Sequence, residues 1–124
     1  MIGYVTLGTN DLERAASFYD ALLGELGAKR AMENERMIIW ATQPGAPMLA
    51  VCKPWDGNKA VTGNGPMVAL SAGSKEKAAE LHAKALELGG TDEGAPGPRG
   101  DGSFYGGYFR DLDGNKLVAF IMGG

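Results

Sequence analysis

The chain has 124 residues, of which 44% are hydrophobic and 22% charged, and this composition is typical of one globular domain. Its net charge of -3 excludes the basic surface that nucleic-acid binding needs, and no apolar run reaches the ~20 residues of a membrane helix. The only cysteine, Cys52, excludes an internal disulfide. With no signal peptide at the start, these features predict a cytoplasmic protein without nucleic-acid or membrane partners.

The first half of the chain predicts one strand, one helix and three further strands. A β-branched and aromatic run at 3–8 is the first strand, and Asp11 lies at the start of a helix whose apolar residues recur at helical spacing up to about Gly24. Strand-like runs follow at 28–32, 36–42 and 48–53. The Pro- and Gly-rich stretch 43–47 is the turn between the last two.

The second half repeats this order. A strand is predicted at 66–71, a helix from Ser74 to about Gly89, and strands at 91–95, 103–110 and 116–122. The halves superpose with an offset of about 63 positions, which indicates a duplicated module. The predicted fold class is therefore α+β, with module one at 1–53, a linker at 54–65 and module two at 66–122, all within a single domain.

Two motifs resemble those of the glyoxalase / bleomycin-resistance / extradiol-dioxygenase superfamily, which has the vicinal oxygen chelate fold. The first lies at 4–19 and begins Tyr4-Val5-Thr6-Leu7. The second is the stretch 108–117, where Leu112 replaces the proline of the usual Asp-Pro-Asp-Gly sequence. The resemblance implies duplicated βαβββ modules whose strands curl into a cup with a small-molecule site, and it implies frequent homodimerisation.

The resemblance also implies where a metal ion would be held. Family members that bind a metal supply ligands from the first and last strands of each module, and these positions are Tyr4, Ala50, Met67 and Val118 here. None is a His or Glu, the ligand types of the family, and a divalent ion needs imidazole or carboxylate donors. The sequence therefore predicts no metal site and no cofactor.

Strand parity predicts the lining of the cup, because successive side chains alternate between the faces of a strand. The family places an aromatic residue ten positions before the last ligand, which gives Tyr108 in module two and Trp40 in module one. The two are expected to face each other across the pseudo-two-fold axis. The predicted ligand-binding residues are Tyr4, Trp40, Met67, Arg99, Phe104 and Tyr108. The alternative is that these side chains fill a closed core.

Three residues are candidates for a specific chemical role. Arg99, in the Gly- and Pro-rich segment 96–102 that is predicted to be a loop, is the best candidate for binding an anion. His82 lies in the middle of the second predicted helix, and a partly buried core residue is the simpler interpretation. Cys52 has no histidine placed to activate it, so it is interpreted as a small core residue.

Three functions are consistent with the sequence. The first is a metal-free protein that binds a small hydrophobic or aromatic molecule in the cup, which the apolar lining favours. The alternative is a glyoxalase-like lyase or a thiol-transferase-like enzyme with a non-standard active site, and the third is a dimeric scaffold. No catalytic residue is assigned, because a phenol with its ordinary pKa near 10 is a poor acid–base group at neutral pH.

Overall fold

A computed structural model describes residues 1–123. The chain separates into two compact units, of which the first spans residues 1–62 and the second begins at Gly63. No helix among the described residues is long and apolar enough to span a membrane.

The first unit has the order βαβββ, as the sequence predicts. The elements are β1 (Tyr4–Gly8), α1 (Leu12–Gly24), β2 (Lys29–Glu33), β3 (Met37–Ala41) and β4 (Met48–Cys52). The sheet has the order β1-β4-β3-β2, in which β1 and β4 are parallel and the other pairs are antiparallel.

The second unit repeats the arrangement. Its elements are β5 (Val68–Ser71), α2 (Lys75–Glu87), β6 (Thr91–Arg99), β7 (Phe104–Arg110) and β8 (Lys116–Met122). The sheet has the order β5-β8-β7-β6, with a parallel pair formed by β5 and β8. The duplicated βαβββ fold predicted from the sequence is thereby confirmed.

The two helices begin in the same way. The Asp11 side chain accepts a hydrogen bond from the Arg14 backbone N–H, and the Ser74 hydroxyl accepts one from the Lys77 backbone N–H. Each side chain satisfies a donor that a helix start leaves unpaired. Asp11 and Ser74 are related by the same offset of about 63 positions that the sequence shows, so the duplication includes the helix caps.

One face of each sheet packs against the helix of its own unit. In the second unit this helix face carries Phe109 and Leu117, which are fully buried, and the ring of His82 from α2 lies edge-on to Phe109. The opposite face is called the far face of the sheet. Because side chains alternate and Tyr108 pairs with Val118, the far face carries Phe104, Tyr108, Val118 and Phe120.

Strand β6 is longer than the sequence predicts. The segment from Pro96 to Arg99, predicted to be a loop, continues the strand, with Gly97 opposite Gly106 and Arg99 opposite Phe104. The proline residues are tolerated because β6 is an edge strand of its sheet. On the outer side of such a strand there is no neighbouring strand, so a residue without an N–H loses no interstrand hydrogen bond there. Irregular register at 92–97 absorbs the local mismatch, as β-bulges do.

Candidate functional site

Two phenylalanine rings are stacked on the far face of the second sheet. The rings of Phe104 and Phe120 are parallel within 2°, with centroids 5.5 Å apart, and both side chains are half-buried. Gly106 makes the arrangement possible, because a Cβ there would lie 2.7 Å from Phe104 and 3.0 Å from Val118. The result is an apolar aromatic pair that remains partly accessible.

Tyr108 lies on the same face and has a cation on each of two sides. The guanidinium carbon of Arg99 is 5.4 Å from the centroid of the Tyr108 ring, and Nζ of Lys116 is 5.5 Å from it. Both distances are typical of cation–π contacts. The predicted residues Arg99, Phe104 and Tyr108 thus lie on the same face of the second sheet, and all three are half-buried.

Two glycines make room for the Arg99 guanidinium. A Cβ on Gly94 would lie 3.3 Å from Nη2 of Arg99, and a Cβ on Gly97 would lie 3.2 Å from Nη1. The guanidinium donates hydrogen bonds to the carbonyl oxygens of Ala95 and Pro98. Its position beside Tyr108 is therefore fixed by the backbone of β6 rather than by a carboxylate.

A cleft of about 280 Å³ borders Lys116. It is lined by the segment Gly63 to Met67 together with Arg110 and Lys116. Arg110 donates a hydrogen bond to Glu93 at 2.6 Å and another to the Gly114 carbonyl oxygen. The predicted site residue Met67 belongs to this cleft and is 44% exposed.

Carboxylates at the two ends of β6 are stabilised in their charged form. The backbone N–H of Gly94 and the His82 ring lower the pKa of Asp92, and the Ser103 side chain and backbone lower the pKa of Asp101.

His82, the only histidine, lies on the helix face of the second sheet. It is 5% exposed, and its Nε2 is 3.0 Å from Asp92 Oδ1 and 3.2 Å from the Tyr108 carbonyl oxygen. Both neighbours are acceptors, so Nε2 carries the hydrogen. His82 is therefore a structural link between α2, β6 and β7, and it does not reach the far face.

In the first unit, Tyr4 and Trp40 lie on opposite faces of the sheet. Tyr4 is 52% exposed on the far face. Trp40 is 2% exposed, packs on Tyr19 of α1 with ring centroids 5.7 Å apart, and donates a hydrogen bond from Nε1 to Asp20. The prediction that Trp40 lines a cup is wrong.

Cys52 is expected from the sequence to be a core residue, but its side chain is only half-buried.

The error arises from the length of one turn. In the second unit Tyr108 lies opposite Val118, ten positions away, whereas in the first unit Ile39 rather than Trp40 lies opposite Ala50. The turn between β3 and β4 is one residue longer than the turn between β7 and β8. A shift of one residue moves a side chain to the other face of the sheet, and here it places Trp40 beneath α1.

The Trp40 side chain belongs instead to a polar cluster on α1. Arg30 of β2 donates two hydrogen bonds to Asp20 and one to Glu33. The pKa of Asp20 is lowered, mainly by the hydrogen bonds from Arg30. The hydrogen bond from Trp40 lowers this pKa further. The same ion pairs raise the pKa of Arg30.

Lys116 and Phe120 lie on the far face as well, although the predicted ligand-binding residues do not include them. The sequence indicates this position, because Lys116 and Phe120 lie two residues before and two residues after Val118. Residues two apart in a strand share a face.

The residues at the family's metal positions do not fit a metal ion. Tyr4, Ala50, Met67 and Val118 offer no imidazole or carboxylate donor. Among residues 1–123, moreover, no three His, Cys, Asp or Glu side chains are grouped so that they could hold an ion.

Comparisons with known proteins agree with this fold. The model of the Glyoxalase/Bleomycin resistance protein/Dioxygenase superfamily matches residues 1–119, and the chain belongs to this superfamily. A glyoxalase/bleomycin resistance protein from Albidiferax ferrireducens T118 is 38% identical, with a TM-score of 0.87 and coverage of 97% of both chains. The two four-stranded mixed sheets with their helices are those of the vicinal oxygen chelate fold.

Two further solved structures show the same fold. A glyoxalase-related enzyme from Fulvimarina pelagi is 24% identical, with a TM-score of 0.75, and the match covers 97% of this chain and 86% of that one. A lactoylglutathione lyase from Agrobacterium tumefaciens is 20% identical, with a TM-score of 0.71 and coverages of 97% and 92%. No functionally curated protein matches the chain.

Proposed function

We propose that this protein binds a small hydrophobic or aromatic molecule on the far face of its second sheet, without a metal ion. The observation that carries the proposal is the stacked pair of Phe104 and Phe120 beside Tyr108, with all three side chains half-buried. A lining of apolar and aromatic side chains with a few placed polar groups is typical of small-molecule sites. Stacking on such rings contributes free energy beyond the area buried.

The alternative is a glyoxalase-like lyase or a thiol-transferase-like enzyme. Such catalysis needs a group that moves a proton within hydrogen-bond reach of the substrate. His82 lies on the helix face and bonds to Asp92 and the Tyr108 carbonyl oxygen. The arrangement therefore supports binding better than catalysis.

A neutral aromatic probe, N-phenyl-1-naphthylamine, tests the proposal through its fluorescence on binding. Phe104→Ala removes one half of the stacked pair, and we expect it to weaken binding about tenfold. Tyr105→Ala is the matched control, because Tyr105 is the next residue of β7 and lies on the helix face near Lys75. It should change binding much less, and a chelator should have no effect.

Two results would contradict the proposal. One is unchanged binding in Phe104→Ala with a folded protein by circular dichroism. The other is loss of wild-type binding on addition of the chelator, which would reveal a metal-dependent site.

A further inference from the structure

Among residues 1–123, two cations on the far face of the second sheet have no carboxylate partner. Lys116 contacts the Tyr108 ring and forms no ion pair within residues 1–123. In the same part of the chain, the Arg99 guanidinium bonds only to the carbonyl oxygens of Ala95 and Pro98. Both side chains are half-buried, and a positive charge partly removed from water without a counter-charge is unfavourable. A negative charge supplied from outside the chain would compensate these two cations.

The cations are positioned rather than merely exposed. The backbone of β6 and the missing Cβ atoms of Gly94 and Gly97 hold the guanidinium of Arg99 against Tyr108. Lys116 lies between the Tyr108 ring and the cleft of about 280 Å³. Arg110 also lines that cleft, although Glu93 compensates its charge. An anionic group near Tyr108 would therefore meet two fixed cations.

The flat rings and the cations lie on the same face. Phe104 directly follows the β6–β7 turn and pairs with Arg99 across the two strands, while Phe120 lies two residues beyond Val118 on the strand that carries Lys116. A molecule that packs against the two phenylalanine rings would therefore lie on the same face of the sheet as Tyr108 and its two cations.

From these contacts we infer that the ligand is an aromatic or planar anion, whose ring lies on Phe104 and Phe120 and whose negative group is bound between Arg99 and Lys116. A carboxylate or sulfonate has the charge and the acceptor oxygens that these donors need. The inference rests on the proposed function, since it assigns the chemical class of the molecule bound at that same face.

A matched pair of probes tests this. N-phenyl-1-naphthylamine and 8-anilinonaphthalene-1-sulfonate share one aromatic framework, and the second adds a sulfonate. We expect the sulfonate probe to bind about tenfold more tightly at low salt. Sodium chloride should weaken its binding selectively, because salt screens the added charge interaction.

Charge variants locate the anion. Lys116→Gln and Arg99→Gln should each reduce affinity for the sulfonate probe by about fivefold to tenfold and leave the neutral probe nearly unchanged. The matched control is Lys75→Gln, because Lys75 also lies over a tyrosine ring, that of Tyr105, at 5.8 Å, but on the helix face. It removes the same charge, so an effect of the protein's net charge alone would show equally in this control.

The results distinguish a failure of the anionic ligand class from a failure of the proposed function. If both probes bind equally and the Lys116 and Arg99 variants change nothing, the anionic class is wrong while the aromatic site stands. If neither probe binds, both the proposed function and the anionic ligand class are wrong. Near-UV circular dichroism of each variant confirms native packing, and Lys116→Met serves as a second variant if Arg99→Gln unfolds.

Discussion

At the scale of single residues, Trp40 and Tyr108 show how similar side chains reach different environments. Both are large aromatic residues in the third strand of their module, but Tyr108 is half-buried between Arg99 and Lys116, whereas Trp40 is buried on α1 and bonded to Asp20. The difference follows from one residue in a turn. Tyr108 is thus a candidate for binding, and Trp40 is a core residue with one polar contact.

The Asp20 cluster predicts a dependence of stability on pH. Arg30 lowers the pKa of Asp20 in the folded state, so the contribution of the carboxylate is fully present above about pH 4, the ordinary aspartate pKa, and is lost as the pH falls through the lower folded value. Asp20→Asn should therefore reduce the free energy of unfolding at pH 7 by about 1 kcal/mol or less, since the pair is partly exposed. In acid the variant and the wild type should converge.

Thermal unfolding from pH 7 to pH 2.5 measures this. Glu35→Gln is the control, since Glu35 is exposed and its side chain makes no hydrogen bond or ion pair within residues 1–123. A gap between Asp20→Asn and the wild type that stays constant down to pH 2.5 would show that the charge of Asp20 is not the cause.

At the scale of elements, the two helices are matched in length and cap but end differently. After α2, Gly90 lies so close to neighbouring backbone that a Cβ would be 2.7 Å from the Arg110 carbonyl oxygen and 2.8 Å from that of Ala85. This contact joins the end of α2 to the end of β7. At Gly24, the last residue of α1, an added Cβ would meet no neighbouring atom within 4 Å.

The two glycines therefore respond oppositely to alanine. Gly90→Ala forces backbone atoms apart and should destabilise the protein by about 1–3 kcal/mol. Gly24→Ala adds a better helix former in open space and should be neutral or stabilising by up to about 1 kcal/mol. Urea denaturation measures both. Equal stability of the two variants would mean that the close approach at Gly90 relaxes without cost.

At the scale of the whole molecule, sheet edges determine what association to expect. Each sheet has two edge strands, β1 and β2 in the first unit and β5 and β6 in the second. All five residues of β2 are exposed. Unpaired edges of this kind invite pairing or need covering, and the family resemblance of the sequence implies frequent homodimerisation.

We therefore expect a homodimer in solution. Size-exclusion chromatography with light scattering should give twice the 13.0 kDa of the chain at micromolar concentration. A concentration series distinguishes a stable dimer from a weak one, because only the weak dimer dissociates on dilution. A species of 13.0 kDa at every concentration would contradict the expectation.

The α+β class, the duplicated βαβββ order and the helix starts could be predicted from the sequence, because hydrophobic periodicity and capping residues such as Asp11 and Ser74 act locally. The sequence also determined that the family's metal donors are replaced. Tertiary structure alone decided the face of Trp40, the strand at Pro96 to Arg99 and the approach of Lys116 to Tyr108. These depend on register and strand pairing, in which a one-residue shift in a turn reverses the face of every following side chain.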